Sequence, residues 1–586
     1  MSRLTVRRSM VWQLGWADRR SGSVTRVWFT AVSILKWVYG AKIRPPFLHG
    51  RARFVQKIRT AEARLSWAPR TFWPGGDARR SATPVTEGDG DTLKTGNLNS
   101  RRGCIRRRSR DMYFEQFYLT CLAHASYLIA SEGEAAVVDP QRDVDIYLKA
   151  AEEQNCKIRY IFETHLHADF VSGHKELAAR TGAKIYIGAQ ANAGFPHVAL
   201  TDGFEVKMGA VLIRALETPG HTPESVCLVL TDESATDATK PAQPSAVLTG
   251  DTLFIGDVGR PDLSRTHTPR QLAGMLYDSL HNKLLTLPDA VTVYPAHGAG
   301  SLCGRAMRAE RSSTIATERL TNYALQIASR DEFIAQLTTN LPARPEYFLE
   351  DAEINRSGAA TLTELPPLAA LSPAEVEALL RQGAVVNVNV LDVRPADEFA
   401  AGHVPGSICI ALSGQFASWA GGILGIHSKP VLIGDTDAQI EEARLRLARV
   451  GIEDLRGYLA GGLAEWRKAG LAVTQTPQIS PAELNQKLRE GNWRAADIVD
   501  VRREGEWQAG HIADVPCSAL DTFPKELPAI DQERPVAVHC KSGYRSMVAC
   551  SLLERAGHRN VVNVAGGFDA WHAAGLPEVA EQLAKA

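Results

Sequence analysis

The sequence predicts a multidomain α/β protein, and three observations carry that prediction. Four short apolar runs rich in β-formers each end in residues able to hold a metal. From residue 112 onwards strand-like runs alternate with helical patterns. The C-terminal part then repeats itself once, at an offset of 108 residues from Asp392 to Asp500 and of 105 from Trp466 to Trp571. At 586 residues the chain exceeds a single core, and at roughly 100 to 200 residues per domain it should form three or four.

The first metal run is Ile158-Arg159-Tyr160-Ile161-Phe162, which leads into Glu163-Thr164-His165-Leu166-His167-Ala168-Asp169-Phe170. A five-residue run of this kind reads as a buried strand, so both histidines fall on the loop at its C-terminal end, where α/β sheets present ligands. Val211 to Leu216 runs into Thr218-Pro219-Gly220-His221, Ala246 to Thr249 into Gly250-Asp251, and Val291 to Tyr294 into Pro295-Ala296-His297. A lone His after a strand is more often a core or loop histidine. Four strands delivering His165, His167, Asp169, His221, Asp251 and His297 to one edge predict a metal site.

This order of residues resembles the signature of the metallo-β-lactamase superfamily, His-x-His-x-Asp-His followed by a later His, an Asp and a last His. The resemblance implies an αββα sandwich. Phe170 stands where the sixth residue of the signature is His. In the superfamily that Asp–His pair serves a second metal, so a phenyl ring there argues for one. Mononuclear sites on this scaffold characterise the persulfide dioxygenase branch, the ethylmalonic encephalopathy protein family. Similarity to that branch implies one Fe(II) per chain, in preference to zinc, held by His165, His221 and Asp251. Two imidazoles and a carboxylate on one face leave positions for both O2 and a substrate sulfur. His167, Asp169 and His297 would then orient ligands or hold water.

The remaining elements follow in order. Tyr113 to Leu119, Ala125 to Ala130 and Glu134 to Asp139 read as strands, Val144 to Gln154 and His174 to Thr181 as helices, and residues 310 to 350 as helical. Gly259-Arg260-Pro261-Asp262 resembles a Gly-Arg-x-Asp stretch of the dioxygenase family, which makes Arg260 a candidate to grip the carboxylate of a thiol carrier, against the reading as a plain turn arginine. Cys303, six residues after His297, is either a thiol near the metal mouth or a buried small residue. Pro342, Pro345, Pro366 and Pro367 mark a break. The expected domains are a metal domain over 112–350, a linker over 351–369, and two copies of one fold over 370–475 and 476–586.

Both copies carry Asp-Val-Arg (Asp392 and Asp500), Gly-His (His403 and His511) and Gly-Gly-x-x-x-Trp (Trp466 and Trp571). That series resembles rhodanese domains, which are small parallel α/β units. In the second copy the strand Val536 to His539 precedes the loop Cys540-Lys541-Ser542-Gly543-Tyr544-Arg545 and a helix beginning near Ser546. Backbone N–H groups of such a loop, with a helix N-terminus behind them, favour an anion and lower a thiol's pKa. Cys540 is therefore the expected sulfur-carrying nucleophile. Lys541, Ser542, Gly543 and Tyr544 would form the binding loop, and Arg545 resembles the group that helps hold thiosulfate or sulfite. A Cys-dependent phosphatase would have Cys-x5-Arg, and here the spacing is Cys-x4-Arg. Alignment of the copies puts Asp435 at the position of Cys540, so the first copy is expected to be non-catalytic.

Composition bounds the rest. With 45% hydrophobic and 23% charged residues the chain is an ordinary globular one, and its zero net charge hides an asymmetry. Residues 1–111 hold 24 Lys and Arg against 7 Asp and Glu, which leaves 42 and 59 for the remainder. No targeting, nucleic-acid or membrane-surface reading of that basic segment is well supported. It is expected to be a disordered extension, or upstream sequence ahead of Met112. The stretch Val27 to Gly40 is too short for a bilayer span, which takes about 20 apolar residues. Nine scattered cysteines without a Cys-x-x-Cys pair fit a reducing, cytoplasmic compartment. The resemblance thus implies a persulfide dioxygenase and sulfurtransferase acting on a glutathione or coenzyme A persulfide with O2, with sulfite and thiosulfate as products, no nucleic-acid partner and room for a homo-oligomer. The alternatives are a glyoxalase-II-like thioester hydrolase, which ordinarily uses two metals, and a sulfur carrier or sensor that uses Cys540 alone.

Overall fold

The computed structural model describes residues 112–234, 242–339, 341, 343–382 and 388–580, so the basic segment 1–111 lies outside the described residues. The metal-bearing part is built on two six-stranded sheets. The first runs in sequence order through β1 (Tyr113–Leu119), β2 (His124–Ser131), β3 (Glu134–Val138), β4 (Lys157–Glu163), β5 (Lys184–Gly188) and β6 (Val198–Leu200). It is antiparallel up to β3 and parallel beyond it. The second holds β7 (Glu205–Met208), β8 (Val211–Glu217), β9 (Val226–Asp232), β10 (Ala246–Gly250), β11 (Thr292–Pro295) and β12 (Ser313–Thr314), in reverse order across the sheet.

Alternation along the strands sets the layers. Tyr127, Ile129, Ala136 and Val138 of the first sheet meet Met208, Ile213, Leu228 and Leu248 of the second in one shared core. The residues between them, Leu128 and Val137, face outward onto α1 (Asp145–Glu153) and α2 (His174–Thr181) through Tyr147 and Leu177. On the other side Cys227, Val229 and Val247 pack under α3 (Pro269–Asn282) and α5 (Arg330–Thr338), which α4 (Ile315–Thr321) precedes. This is the expected αββα sandwich. The span read as helical over 310–350 is in fact broken: a 3-10 turn at Ala324–Gln326 separates α4 from α5, and α6 (Phe348–Ser357) follows. Helix α6 also runs across the expected start of the linker, with Phe348, Asp351 and Asn355 buried.

Each of the two C-terminal repeats is built on its own parallel sheet. The first has the order β13-β17-β16-β14-β15, from β13 (Ala370–Leu371), β14 (Val390–Asp392), β15 (Ile408–Cys409), β16 (Val431–Ile433) and β17 (Gly457–Leu459). Its helices are α7 (Pro373–Gln382), α8 (Ala396–Ala401), α9 (Phe416–Leu424), α10 (Asp437–Ala448) and α11 (Gly462–Lys468). The second has the matching order β18-β21-β20-β19, from β18 (Gln478–Ile479), β19 (Ile498–Asp500), β20 (Val536–His539) and β21 (Val561–Val564). A parallel bridge from Asp500 to Cys517 stands where the first copy has its edge strand. Its helices are α12 (Pro481–Arg489), α13 (Glu504–Ala509), α14 (Tyr544–Arg555) and α15 (Gly567–Ala573).

In both copies the Asp-Val-Arg motif is a buried fork: Arg394 on Asp392 and Arg502 on Asp500, each also donating to the Gly carbonyl of Gly-His. The copies and the mouth of the sandwich share one apolar cluster that includes Cys121, Phe170, Tyr347, Phe416 and Met547. Polar ties reinforce it. Arg449 grips Asp143 in a fork through its Nε and Nη2, Arg142 reaches Glu453 at 2.6 Å, and the Val171 N–H donates to the Arg449 carbonyl at 2.7 Å.

Candidate metal centre and cysteine loop

All four metal-bearing loops leave the same edge of the sandwich, after β4, β8, β10 and β11. Short backbone bonds lock them together: Val226 N–H to the Thr164 carbonyl, Ala296 N–H to the Gly250 carbonyl and Ala125 N–H to the Ala296 carbonyl. Among the described residues His165, His221 and Asp251 offer ligand atoms that lie within 4.8 Å of one another, and all three side chains are buried.

Hydrogen bonds behind the rings fix the tautomers. Thr164 Oγ1 gives its hydrogen to Asp139 at 2.9 Å, so at 3.0 Å from His165 Nδ1 it accepts. The Arg260 carbonyl can only accept, so His221 Nδ1, 3.0 Å away, carries the proton. Both Nε2 atoms therefore present lone pairs, and neither has a hydrogen-bond partner. They face Asp251 Oδ2 at 3.8 and 3.4 Å. Burial pushes both imidazole pKa values down, well below the ordinary value at His165. Burial would raise the Asp251 carboxyl, but His297 outweighs it and holds the group ionised. Two lone pairs and a carboxylate converging in a dry cavity repel one another unless a cation sits among them, so these residues fit a metal.

His297 carries out a different task. Its Nδ1 lies 2.8 Å from Asp251 and its Nε2 3.0 Å from Asp169, so carboxylates face both nitrogens. Burial opposes the charged ring, yet Asp169 and Asp251 raise its pKa well above the ordinary value. His167 sits 3.2 Å from Asp139 and 3.5 Å from Glu163, which likewise raise it against burial. Cys303 joins Asp169 and His297 in a second buried trio, and burial, with the Asp169 and Asp251 carboxylates, pushes its thiol well up. The Phe170 ring is fully buried, 4.4 Å from the His167 ring and 4.1 Å from that of His124.

Sequence reasoning missed three residues here. His124, at the start of β2, is buried against His297 and Phe170 with neither nitrogen bonded. Only the pairing of the β2 start with the His297 strand end places it there. Gly259 lies so close that a Cβ would stand 2.0 Å from the Asp251 carbonyl oxygen and 2.7 Å from His221 Nδ1. Asn355, on α6, donates to the carbonyls of His167 and Phe170 at 2.7 and 2.8 Å and accepts from Ser172 N–H at 2.8 Å.

Arg260 differs from expectation: its guanidinium is buried, forked onto Asp262 at 2.6 and 2.9 Å and onto the Leu302 carbonyl at 3.1 Å. Its carbonyl, not its side chain, touches the metal residues.

In the second repeat Cys540 is buried at the C-terminal end of β20, and Gly543 N–H donates to its sulfur at 3.1 Å. The loop's carbonyls turn the other way: Cys540 and Lys541 accept from Phe568 and Asp569 N–H at the start of α15. That leaves N–H groups for the loop's concave side. A Cβ on Gly567 would stand 2.3 Å from the Cys540 carbonyl oxygen, which explains the Gly-Gly pair. Lys541 and Ser542 are exposed at the rim. Two loop residues point elsewhere than expected. Tyr544 begins α14 two residues early and donates its hydroxyl to the Ala411 carbonyl in the first repeat, and Arg545 is forked onto Glu506 at 2.7 and 2.8 Å. In the first repeat Gln439, in a capping box with Thr436, accepts from the Asp435 N–H and so fills the cradle.

Known proteins support this division. The Metallo-beta-lactamase superfamily model matches residues 119–297, and the Rhodanese-like domain model matches residues 372–469 and 480–574. A probable metallo-hydrolase of Burkholderia pseudomallei is 31% identical over 261 residues, 39% of this chain and 85% of its own length. The mitochondrial persulfide dioxygenase ETHE1 of Bos taurus is 32% identical over 36% of this chain and 73% of its own, and glyoxylase B2 of Dictyostelium discoideum 30% over 39% and 77%. A metallo-beta-lactamase crystal structure from Staphylococcus aureus matches over 60% of this chain and 99% of its own, at 31% identity and a TM-score of 0.53. The chain belongs to the metallo-beta-lactamase superfamily and carries two tandem rhodanese-like domains behind its metal fold.

Proposed function

We propose that this protein is a persulfide dioxygenase and sulfurtransferase. The observation that carries the reading is the convergence of two neutral imidazoles and one carboxylate at His165, His221 and Asp251, with Phe170 packed where a further ligand would stand. The similarity to a persulfide dioxygenase supports it. Iron(II) held by these three residues would supply adjacent open positions for O2 and a persulfide sulfur. The overall reaction balances as RSSH + O2 + H2O giving RSH, sulfite and two protons.

The chain's own residues prepare that chemistry. Asp139 through Thr164, and the Arg260 carbonyl, hold the two imidazoles as neutral donors. Charged His297 keeps Asp251 ionised and offers a proton between two carboxylates. At the second site the Cys540 thiolate attacks the outer sulfur of a persulfide, the S–S bond breaks and the carrier thiol leaves. Sulfite then takes the sulfur from Cys540 as thiosulfate, or the sequence runs in reverse. Gly543 N–H, at the start of α14, points at the Cys540 sulfur and holds it in the loop.

A second reading has an observation of its own. Asp169, His297 and Cys303 form a second trio of possible ligands, which suits a two-metal thioester hydrolase. Anaerobic purification, metal analysis and O2 uptake with glutathione persulfide separate the two. About one iron per chain with O2 consumed and sulfite formed is the expected result. Two zincs per chain without O2 uptake would establish the hydrolase instead. Cys540→Ser should abolish sulfur transfer and leave O2 uptake intact.

A further inference from the structure

One cleft ends at Asp169, beside the candidate metal centre, and its walls come from all three folded parts of the chain. Asp169, Ser301 and Tyr347 form its closed end, at 5, 8 and 2% exposure. Asp169 leads on to the centre through His297. Helix α9 of the first repeat contributes half-buried Trp419, and the second repeat contributes Arg503, just ahead of α13, and exposed Lys525. The cavity measures about 130 Å³ and takes a slender chain.

The rim has a defined charge balance. Arg344, Arg503 and Lys525 stand against Glu346 and Asp521 at the rim, and Asp169 at the closed end brings the lining to three charges of each sign. A peptide thiol with two carboxylates and one ammonium complements such a mixed rim. A polyphosphate carrier would bring more negative charge than the rim balances. Among the described residues Lys525 pairs with Glu346, at 3.3 Å and largely in water, so it can exchange that partner for a ligand carboxylate at small cost.

We propose that the two repeats form the substrate-selecting wall of the metal centre, with Trp419 and Lys525 holding the carrier half of a peptide-type thiol persulfide; this rests on the dioxygenase reading above. The indole face covers the carrier's aliphatic backbone while Arg503 and Lys525 meet its carboxylates, and the sulfur end reaches past Tyr347 towards Asp169. The arrangement gives the first repeat a task that does not need a cysteine. It also ties the rim to the Cys540 loop, because Arg503 N–H donates to Glu506, which grips Arg545.

The test uses the full chain and two variants, Trp419→Ala and Lys525→Glu. For O2 uptake with glutathione persulfide, both should raise KM about tenfold and leave kcat within about twofold. Calorimetric titration with S-methylglutathione, which cannot react, should show the same loss in Kd, and S-methyl-coenzyme A should bind the wild type more weakly. Wild-type KM and Kd in both variants, or tighter binding of the coenzyme A derivative, would overturn the proposal even if O2 uptake is normal. Failure of the dioxygenase reading looks different: no O2 uptake by the wild type, with or without binding of S-methylglutathione. Thermal unfolding controls for folding. Should Trp419→Ala fail to fold, exposed Lys525→Glu decides the matter alone.

Discussion

Replacing Asn355 with Leu keeps the side chain's approximate volume and removes three hydrogen bonds at once. Two of them, at 2.7 and 2.8 Å, end on the carbonyls of His167 and Phe170, and the third satisfies Ser172 N–H. The side chain is 1% exposed, so water does not replace it. At about 1 kcal/mol net for each bond, and more for each buried group left unpaired, the loss is about 3 to 5 kcal/mol. Part of it falls on the fold and part on the loop that carries His165. If half appears as poorer metal positioning, affinity falls about tenfold to a hundredfold. The assay is competition for the metal against a chelator, with thermal unfolding alongside. Asn355→Asp should be at least as harmful, because a carboxylate can accept from Ser172 but repels the two carbonyls. Wild-type metal affinity and an unchanged melting temperature in both variants would refute the view that α6 holds the metal loop in shape.

Three further outcomes concern Gly259, Glu506 and Asp435. Gly259→Ala forces a methyl group to within 2.0 Å of the Asp251 carbonyl oxygen, so the variant should lose most of its metal and about 2 to 4 kcal/mol of stability, read by metal analysis and denaturant unfolding. Glu506 is held down to about 2 from its ordinary 4.5: burial opposes this, and the bonds from Arg545 outweigh it. A depressed carboxyl stabilises above its unfolded value and loses that contribution as pH falls through 4.5 towards 2; discounted for partial solvent screening, about 1 to 2 kcal/mol should disappear over that window, and Glu506→Gln should flatten the profile. Asp435→Cys in a Cys540→Ser background should not restore sulfur transfer, since Gln439 fills the first repeat's cradle; measurable transfer would show that the thiol alone suffices.

Local signals in the sequence reached far because each candidate ligand directly follows a strand of its own. The β4, β8, β10 and β11 runs were readable from apolar, β-rich composition, and a strand's C-terminal edge then fixes where His165, His221, Asp251 and His297 stand. The duplicated Asp-Val-Arg, Gly-His and Gly-Gly-x-x-x-Trp series disclosed two copies of one fold because each motif serves the same buried contact in both. What stayed illegible was long-range or polar. Residues 351–357 of helix α6 fall in the expected linker because prolines flank the helix, at Pro345 and Pro366, and its mixed polarity carries no clear stripe, although Asn355 is an integral part of the metal loop's setting.

The sequence by itself determined the metal-side strands, the repeats, the group of metal-competent side chains and the one repeat that carries a loop cysteine, since these rest on periodicity and spacing within short segments; the sandwich was implied by the resemblance of its metal motif to a known superfamily. Only the tertiary structure decided how those groups are used. It turned Arg260 inward onto Asp262, engaged Arg545 with Glu506, sent Tyr544 to the neighbouring repeat and brought His124 beside His297. The reason is physical: a charged or polar side chain takes whichever partner offsets its desolvation, and that partner commonly lies on a segment distant in the chain.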